Sequence, residues 1–214
     1  MTKMARSVFR ALAGLEAAKS WRMPLFAAFA CVAPEVASAH LRGGTLGGFQ
    51  SGFTHPIVGL DHLLAMLAVG IWGAQMGGRN VWTLPVTFPL IMAAGGILAM
   101  SGIALPHVEL GIASSVFVLG LAIAFAWKAP EWVALLLIAV FAIFHGYAHG
   151  AEIPQAVDPA SYANGFVVAT GLIHIIGIGI GLLLARPWKG RLSQALGVAV
   201  AIAGLYFAVG RQLL

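Results

Sequence analysis

From residue 55 onward, long apolar runs alternate with short polar connectors. Each run has about 20 residues, the length that an α-helix needs to cross the hydrocarbon core of a bilayer. No connector is long enough to hold a soluble domain. The pattern therefore predicts an all-α, polytopic membrane protein whose residues 55–214 form a six-transmembrane-helix bundle. The approximate bounds of the six predicted spans are 55–76, 82–105, 109–127, 131–151, 161–185 and 192–212.

The first 39 residues have the pattern of a secretory signal peptide. A long basic region precedes a short apolar stretch from Pro24 to Ala33, and Ala37-Ser38-Ala39 supplies a cleavage site with small residues. Cleavage there makes His40 the new N-terminus, whereas an uncleaved leader would stay as a loose anchor. Residues 40–54 are rich in glycine, and we predict a flexible periplasmic lead over this stretch.

Composition agrees with membrane insertion, because 60% of the 214 residues are hydrophobic and only 9% are charged. The net charge of +5 does not indicate a nucleic-acid partner, since five of the twelve basic residues lie in the first 22 positions. Basic residues of the connectors fall on one predicted side, which the positive-inside rule makes cytoplasmic. The mature N-terminus is then periplasmic and the protein spans the bacterial inner membrane. The basic residues on the cytoplasmic side are Arg79, Lys128, Arg186, Lys189 and Arg191.

The first predicted span begins with three ionisable residues, His55, Asp61 and His62. If 55–76 is one helix, His55 and His62 are seven residues apart and share a face. Pro56 would then occupy the first turn, with Thr54 as the N-cap. Asp61 would be either a direct metal ligand or an acceptor that orients an imidazole.

A second polar group closes the fourth predicted span, where His145, His149 and Glu152 have i, i+4, i+7 spacing on one face. His174 falls near the middle of the fifth span, as a deeper metal ligand or as a hydrogen-bond partner between helices. His40 at a free N-terminus is a further candidate ligand. Imidazole and carboxylate together favour first-row divalent ions such as nickel, cobalt, copper or zinc. Cys31 is the single cysteine and lies in the predicted leader, so the mature chain has no thiolate ligand.

Two of these motifs resemble the HupE/UreJ family of hydrogenase- and urease-associated membrane proteins. They are His55-Pro56, Gly59, Asp61-His62 and Leu64-Ala65-Met66 in span one, and Phe144-His145-Gly146-Tyr147-Ala148-His149-Gly150 with Glu152 in span four. The resemblance implies a nickel or cobalt permease, with Ni²⁺ or Co²⁺ as the transported ion and no tightly bound cofactor. It also implies a hydrogenase or urease maturation system as a partner. The larger nickel/cobalt permeases are similar in span one. In those proteins four residues separate the first histidine from the Asp-His pair, whereas five separate His55 from Asp61 here.

Two other functional classes remain open on sequence grounds, and a third, an enzyme, is weighed against them. A membrane electron carrier would hold haem between His62 and His145 or His149. An accessory protein would dock to a hydrogenase or urease system without transporting an ion. An enzyme is not predicted, because no His-Glu-x-x-His motif occurs, and no Gly-xxxx-Gly-Lys motif indicates ATP hydrolysis.

Overall fold

The computed structural model describes residues 47–153, 157–185 and 190–212, without the side chains of 211 and 212. The predicted signal peptide (1–39), His40 and the connector residues Arg186 and Lys189 lie outside the described residues. Everything described is helical or loop, with no strand, which confirms the all-α prediction for this part of the chain. The helices are α1 (Gly48–Val58), α2 (Leu60–Met76), α3 (Asn80–Met100), α4 (Val108–Ala124), α5 (Glu131–Ala151), α6 (Pro159–Ala185) and α7 (Arg191–Gln212).

Length and apolar composition make this a multi-pass membrane protein. Four helices (α3, α5, α6 and α7) are long and apolar enough to cross a bilayer, and the bent pair α1–α2 adds a fifth candidate. Helix α4 is apolar but has 17 residues, about 26 Å at 1.5 Å per residue. The count of six spans therefore stays a prediction.

The first predicted span is broken, so treating 55–76 as one helix was wrong. Helices α1 and α2 meet at Gly59 with a bend of 81°. Pro56 lies near the end of α1, where its missing N–H weakens the helix, and Gly59 is extended at φ −77° and ψ 103°. The backbone N–H of His62 donates to Asp61 Oδ1 at 2.8 Å, which stabilises the first turn of α2.

Three further expectations about this region were also wrong. Thr54 is not an N-cap, because it lies inside α1 and its hydroxyl donates to the Gln50 carbonyl. Pro56 is near the end of a helix rather than in a first turn. The flexible lead predicted for residues 40–54 is helical from Gly48 onward, where α1 packs closely on α6 at Gly52, next to the Tyr162 backbone. Residues 40–46 lie outside the described residues.

Close helix pairs hold the described bundle together: α2 with α6, α3 with α5, and α4 with α7. A Cβ added at Gly146 would lie 1.9 Å from the Met92 carbonyl oxygen, so α5 can approach α3 this closely only with glycine there. Gly177 and Gly181 form a Gly-xxx-Gly pair that faces α2, where an added Cβ would lie 2.5 Å from the Leu67 carbonyl oxygen and 2.7 Å from the Ala74 Cβ, so this pair serves close packing.

Basic residues of the first and third connectors lie at one end of the bundle, which we call the basic end. Lys128 Nζ donates to the carbonyls of Gln75 and Met76, with 3.0 Å to Met76. Arg79 lies 3.7 Å from Glu131. These contacts place the connectors before α3 and before α5 together, as the charge pattern requires.

Candidate metal site

The break between α1 and α2 positions three of the predicted site residues. His55 lies in the last turn of α1, while Asp61 and His62 lie in the first turn of α2. Discontinuous helices place side chains and helix ends at ion sites of many transporters. The 81° bend turns His55 and His62 toward the same neighbour, helix α5, although they no longer share one helical face.

Asp61 fixes the orientation of the His62 ring. Its Oδ1 lies 2.7 Å from His62 Nδ1, and both side chains are mostly buried. A carboxylate next to Nδ1 holds the proton on that nitrogen and leaves Nε2 with the lone pair that binds metal. Of the two roles predicted for Asp61, this geometry matches the orienting acceptor.

His145 is oriented in the same way by the backbone of α5. Its Nδ1 lies 2.9 Å from the carbonyl oxygen of Phe141, one turn earlier. Because a carbonyl only accepts, His145 donates from Nδ1, and its Nε2 carries the lone pair in the neutral ring. His62 and His145 are therefore both set to present Nε2.

Four imidazole rings from three helices form one continuous cluster, which we call the histidine cluster. His149 is at its centre, with ring centroids 4.7 Å from His55 and 4.4 Å from His62. His62 also contacts His145, at 5.0 Å. Glu152 closes the outer edge, with Oε2 3.1 Å from His55 Nε2. The structure thus brings together six residues that the sequence placed in two separate motifs.

Unsatisfied nitrogen atoms mark the interior of the cluster. His62 Nε2 and both ring nitrogens of His149 are buried and have no hydrogen-bond partner among the described residues. Buried polar atoms are normally paired, and an exception indicates a ligand, an ion or water. Unpaired imidazole nitrogens are the atoms that a transition metal would bind.

The distances suit one ion at the outer edge of the cluster. One ligand atom from each of His55, His149 and Glu152 lies within 4.8 Å of the others. Two atoms that each bind a metal at about 2.0–2.2 Å are at most roughly 4 Å apart. Small rotations of these side chains would therefore bring the three ligand atoms close enough together to bind one dication.

Exposure decreases from the outer edge of the cluster inward. The side chains of Glu152 and His55 are 40% and 29% exposed, whereas His149 and His145 are buried. The cluster therefore opens at the end of the bundle opposite the basic end. A cavity of about 240 Å³ next to His149, bordered by Tyr162 and Phe166, lies beside this opening.

Aromatic walls of the site were missed at the sequence level. Phe166 packs on His149 with ring centroids 4.1 Å apart, Tyr162 lies 5.9 Å from His55, and Phe88 lies 5.3 Å from His145. The spacings of four and eight residues between Tyr162, Phe166 and His174 place these rings near one face of α6 and could have indicated this wall.

His174 is separate from the cluster. It is buried on α6 and contacts Phe88, whose ring stands between it and His145. Neither His174 nitrogen makes a hydrogen bond of standard geometry within the described part of the chain. His40 lies outside the described residues.

The haem alternative does not fit this geometry. His62 contacts both His145 and His149 directly, with ring centroids 5.0 and 4.4 Å apart. A bis-histidine haem requires a planar macrocycle between the two rings. Imidazoles in mutual van der Waals contact leave no slot for it.

Comparisons with known proteins agree with the motifs. Residues 14–207 match the HupE / UreJ protein family. Protein HupE of Rhizobium leguminosarum bv. viciae is 43% identical over 177 residues, which is 83% of this chain and 92% of that protein. No solved structure shows a significant match to the chain.

Proposed function

The chain belongs to the HupE / UreJ family, and from that premise we propose that it is a secondary permease importing Ni²⁺, or Co²⁺, across the cytoplasmic membrane. The ion would enter through the histidine cluster with Asp61 and Glu152. The observation that carries this proposal is the convergence of His55, His149 and Glu152 within 4.8 Å, beside buried unpaired nitrogens.

The composition of the site supports a divalent transition metal. Imidazole suits nickel, cobalt, copper and zinc, whereas magnesium and calcium need mostly oxygen ligands. Asp61 and Glu152 supply two carboxylates, whose charge balances a dication. The described part of the chain has no cysteine that could trap a soft ion at the site. Several neutral imidazoles spread over three helices can bind an ion and also release it, as conduction requires.

Helix directions support six spans with the cluster on the periplasmic side. Contacts of Gly120 with Ala201 and of Gly204 with Phe117 run in opposite senses along α4 and α7. Because α4 packs antiparallel along a helix long enough to span, we propose that α4 also crosses the membrane. The basic end is then cytoplasmic, and the predicted signal peptide would deliver His40 to the periplasm.

His40 has a proposed role in capture. A free N-terminal amine and an imidazole can chelate one nickel or copper ion, and the glycines that follow could bring it to the cluster. His40→Ala should lower uptake only when metal is scarce. Unchanged uptake under limitation would remove His40 from the site.

An accessory role is the competing proposal. In that case the chain would dock to a hydrogenase or urease maturation system and bind metal without transporting it. Purified protein in vesicles separates the two, because no maturation protein is present there. The unpaired nitrogens of the cluster favour a role that includes metal binding.

Radiolabelled nickel uptake into vesicles tests the proposal. The wild type should accumulate nickel, and His62→Ala should abolish accumulation, since it removes the imidazole that Asp61 orients. His107→Ala is the matched control, because His107 is in the connector before α4. Full uptake by His62→Ala, or none by the wild type, would contradict the permease.

A further inference from the structure

Helix α6 presents a buried stripe that continues inward from the histidine cluster. Tyr162, Phe166, Thr170 and His174 recur every four residues and are all nearly inaccessible. Four residues make slightly more than one turn, so these side chains share a face. Twelve residues rise about 18 Å, which carries the stripe from the mouth to the middle of the membrane.

The inner end of this stripe has polar atoms without partners. Thr170 Oγ1 and both nitrogens of His174 are buried and make no hydrogen bond to the described residues. An unsatisfied polar group in a membrane interior is costly. Two such residues one turn apart on the same face indicate a site that a polar ligand or ion occupies.

Helix α3 contributes a third polar group through its prolines. Pro85 and Pro89 both lie inside α3. Because Pro89 has no N–H, the carbonyl of Pro85 loses the donor that a helix would supply four residues later. Pro85 and His174 border the same cavity, and the Pro85 backbone is close enough to His174 to act as an acceptor. Backbone carbonyls freed from a helix can also bind a cation.

Phe88 separates this inner group from the histidine cluster. Its ring is fully buried and meets His145 and His174 edge to face, at centroid distances of 5.3 and 5.4 Å. A cavity of about 390 Å³ borders His174, Pro85 and Pro89. An ion leaving the cluster inward would therefore pass Phe88 and meet His174 next.

We propose that His174, Thr170 and the Pro85 carbonyl form an inner station for the same divalent transition metal. The inference rests on the proposed function, because it gives that permease a second step. One imidazole with two neutral oxygens binds a dication more weakly than the cluster does. A weaker inner site can accept the ion from the cluster and then release it.

Pro89 supplies a sharp test. Pro89→Ala restores an N–H that can occupy the Pro85 carbonyl and should remove it from the inner station. Leu90→Ala is the control on the same helix: Leu90 follows Pro89 and is 67% exposed, and its replacement leaves the Pro85 carbonyl without a donor because Pro89 remains. His174→Ala and Thr170→Val remove the two side chains. Each variant is reconstituted as the full chain, and both nickel uptake and equilibrium nickel binding are measured.

If the inner station exists, its variants should slow nickel uptake without weakening nickel binding. His174→Ala and Pro89→Ala should lower the maximal uptake rate about tenfold or more, while Thr170→Val has a smaller effect in the same direction. The half-saturating concentration and equilibrium binding should stay near wild type, because the cluster is intact. Leu90→Ala should transport like the wild type.

Two outcomes would overturn parts of the scheme separately. Wild-type rates in both His174→Ala and Pro89→Ala would eliminate the inner station and leave the permease standing. Equal losses in Pro89→Ala and Leu90→Ala would mean that any change in this part of α3 slows transport, and would remove the Pro85 carbonyl from the station. A wild type that neither binds nor transports nickel would refute the permease and the inner station together.

Discussion

His62 of α2 and His149 of α5 meet edge to face with ring centroids 4.4 Å apart. Their sequence motifs are more than eighty residues apart, and each ring keeps buried nitrogen without a hydrogen-bond partner among the described residues. Neutral imidazoles in contact gain little from each other. A dication that binds both would supply the missing stabilisation.

Asp61→Asn should weaken nickel binding about 10- to 100-fold, the usual effect of changing the group that orients a metal-binding histidine. The amide keeps the shape of Asp61 but removes the charge that holds the proton on His62 Nδ1. Equilibrium nickel binding to purified protein measures the change. Asp158→Asn is the control, since Asp158 accepts from the Ser161 backbone at an exposed position; equal losses in both variants would contradict the orienting role.

Glu152→Gln should raise the half-saturating nickel concentration and leave the maximal rate nearly unchanged. Glu152 lies at the exposed edge, 3.1 Å from His55, where its charge attracts the ion before the buried histidines bind it. A contact that holds the ion equally well before and during transport contributes to affinity alone. Its loss therefore raises KM without lowering kcat. Initial uptake rates over a nickel series give both values, with Glu131→Gln at the basic end as the control. A lower maximal rate at unchanged KM would assign Glu152 to a later step.

Gly146→Ala should destabilise the protein by about 1–3 kcal/mol, the usual cost of overpacking. The added Cβ would lie 1.9 Å from the Met92 carbonyl and would push α5, with His145 and His149, away from α3. The melting temperature in detergent and the affinity for nickel should both fall. Gly171→Ala, on α6 with open space around it, should change neither. Similar melting temperatures for the two variants would contradict the close packing of α3 and α5.

Much of this site was predictable, because metal-ligand chemistry shows in residue types. His55, Asp61, His62, His145, His149 and Glu152 stand out in apolar runs, and the structure brings all six together. That prediction needed no exact helix geometry, since the expense of polar groups in a membrane already restricts where they occur.

The break at Gly59 was not predictable from periodicity. Apolar residues continue on both sides of it, and an extended glycine leaves no trace in a hydrophobic pattern. Trp72 shows a similar limit: a tryptophan near a span end is typical of the membrane interface, but Trp72 is fully buried and donates to the Trp127 carbonyl at 3.0 Å. Phe88, Tyr162 and Phe166 escaped notice because aromatic residues in a membrane span are ordinary until a histidine packs on them.

The most direct test is X-ray absorption spectroscopy of the nickel-loaded full-length protein, wild type against His149→Ala. His149 is the ring that contacts both His55 and His62. The wild type should show at least two imidazole rings bound to nickel with oxygen ligands, and His149→Ala should lose that signature. Nickel bound only by oxygen in the wild type, or identical spectra from the two proteins, would contradict metal binding at the histidine cluster.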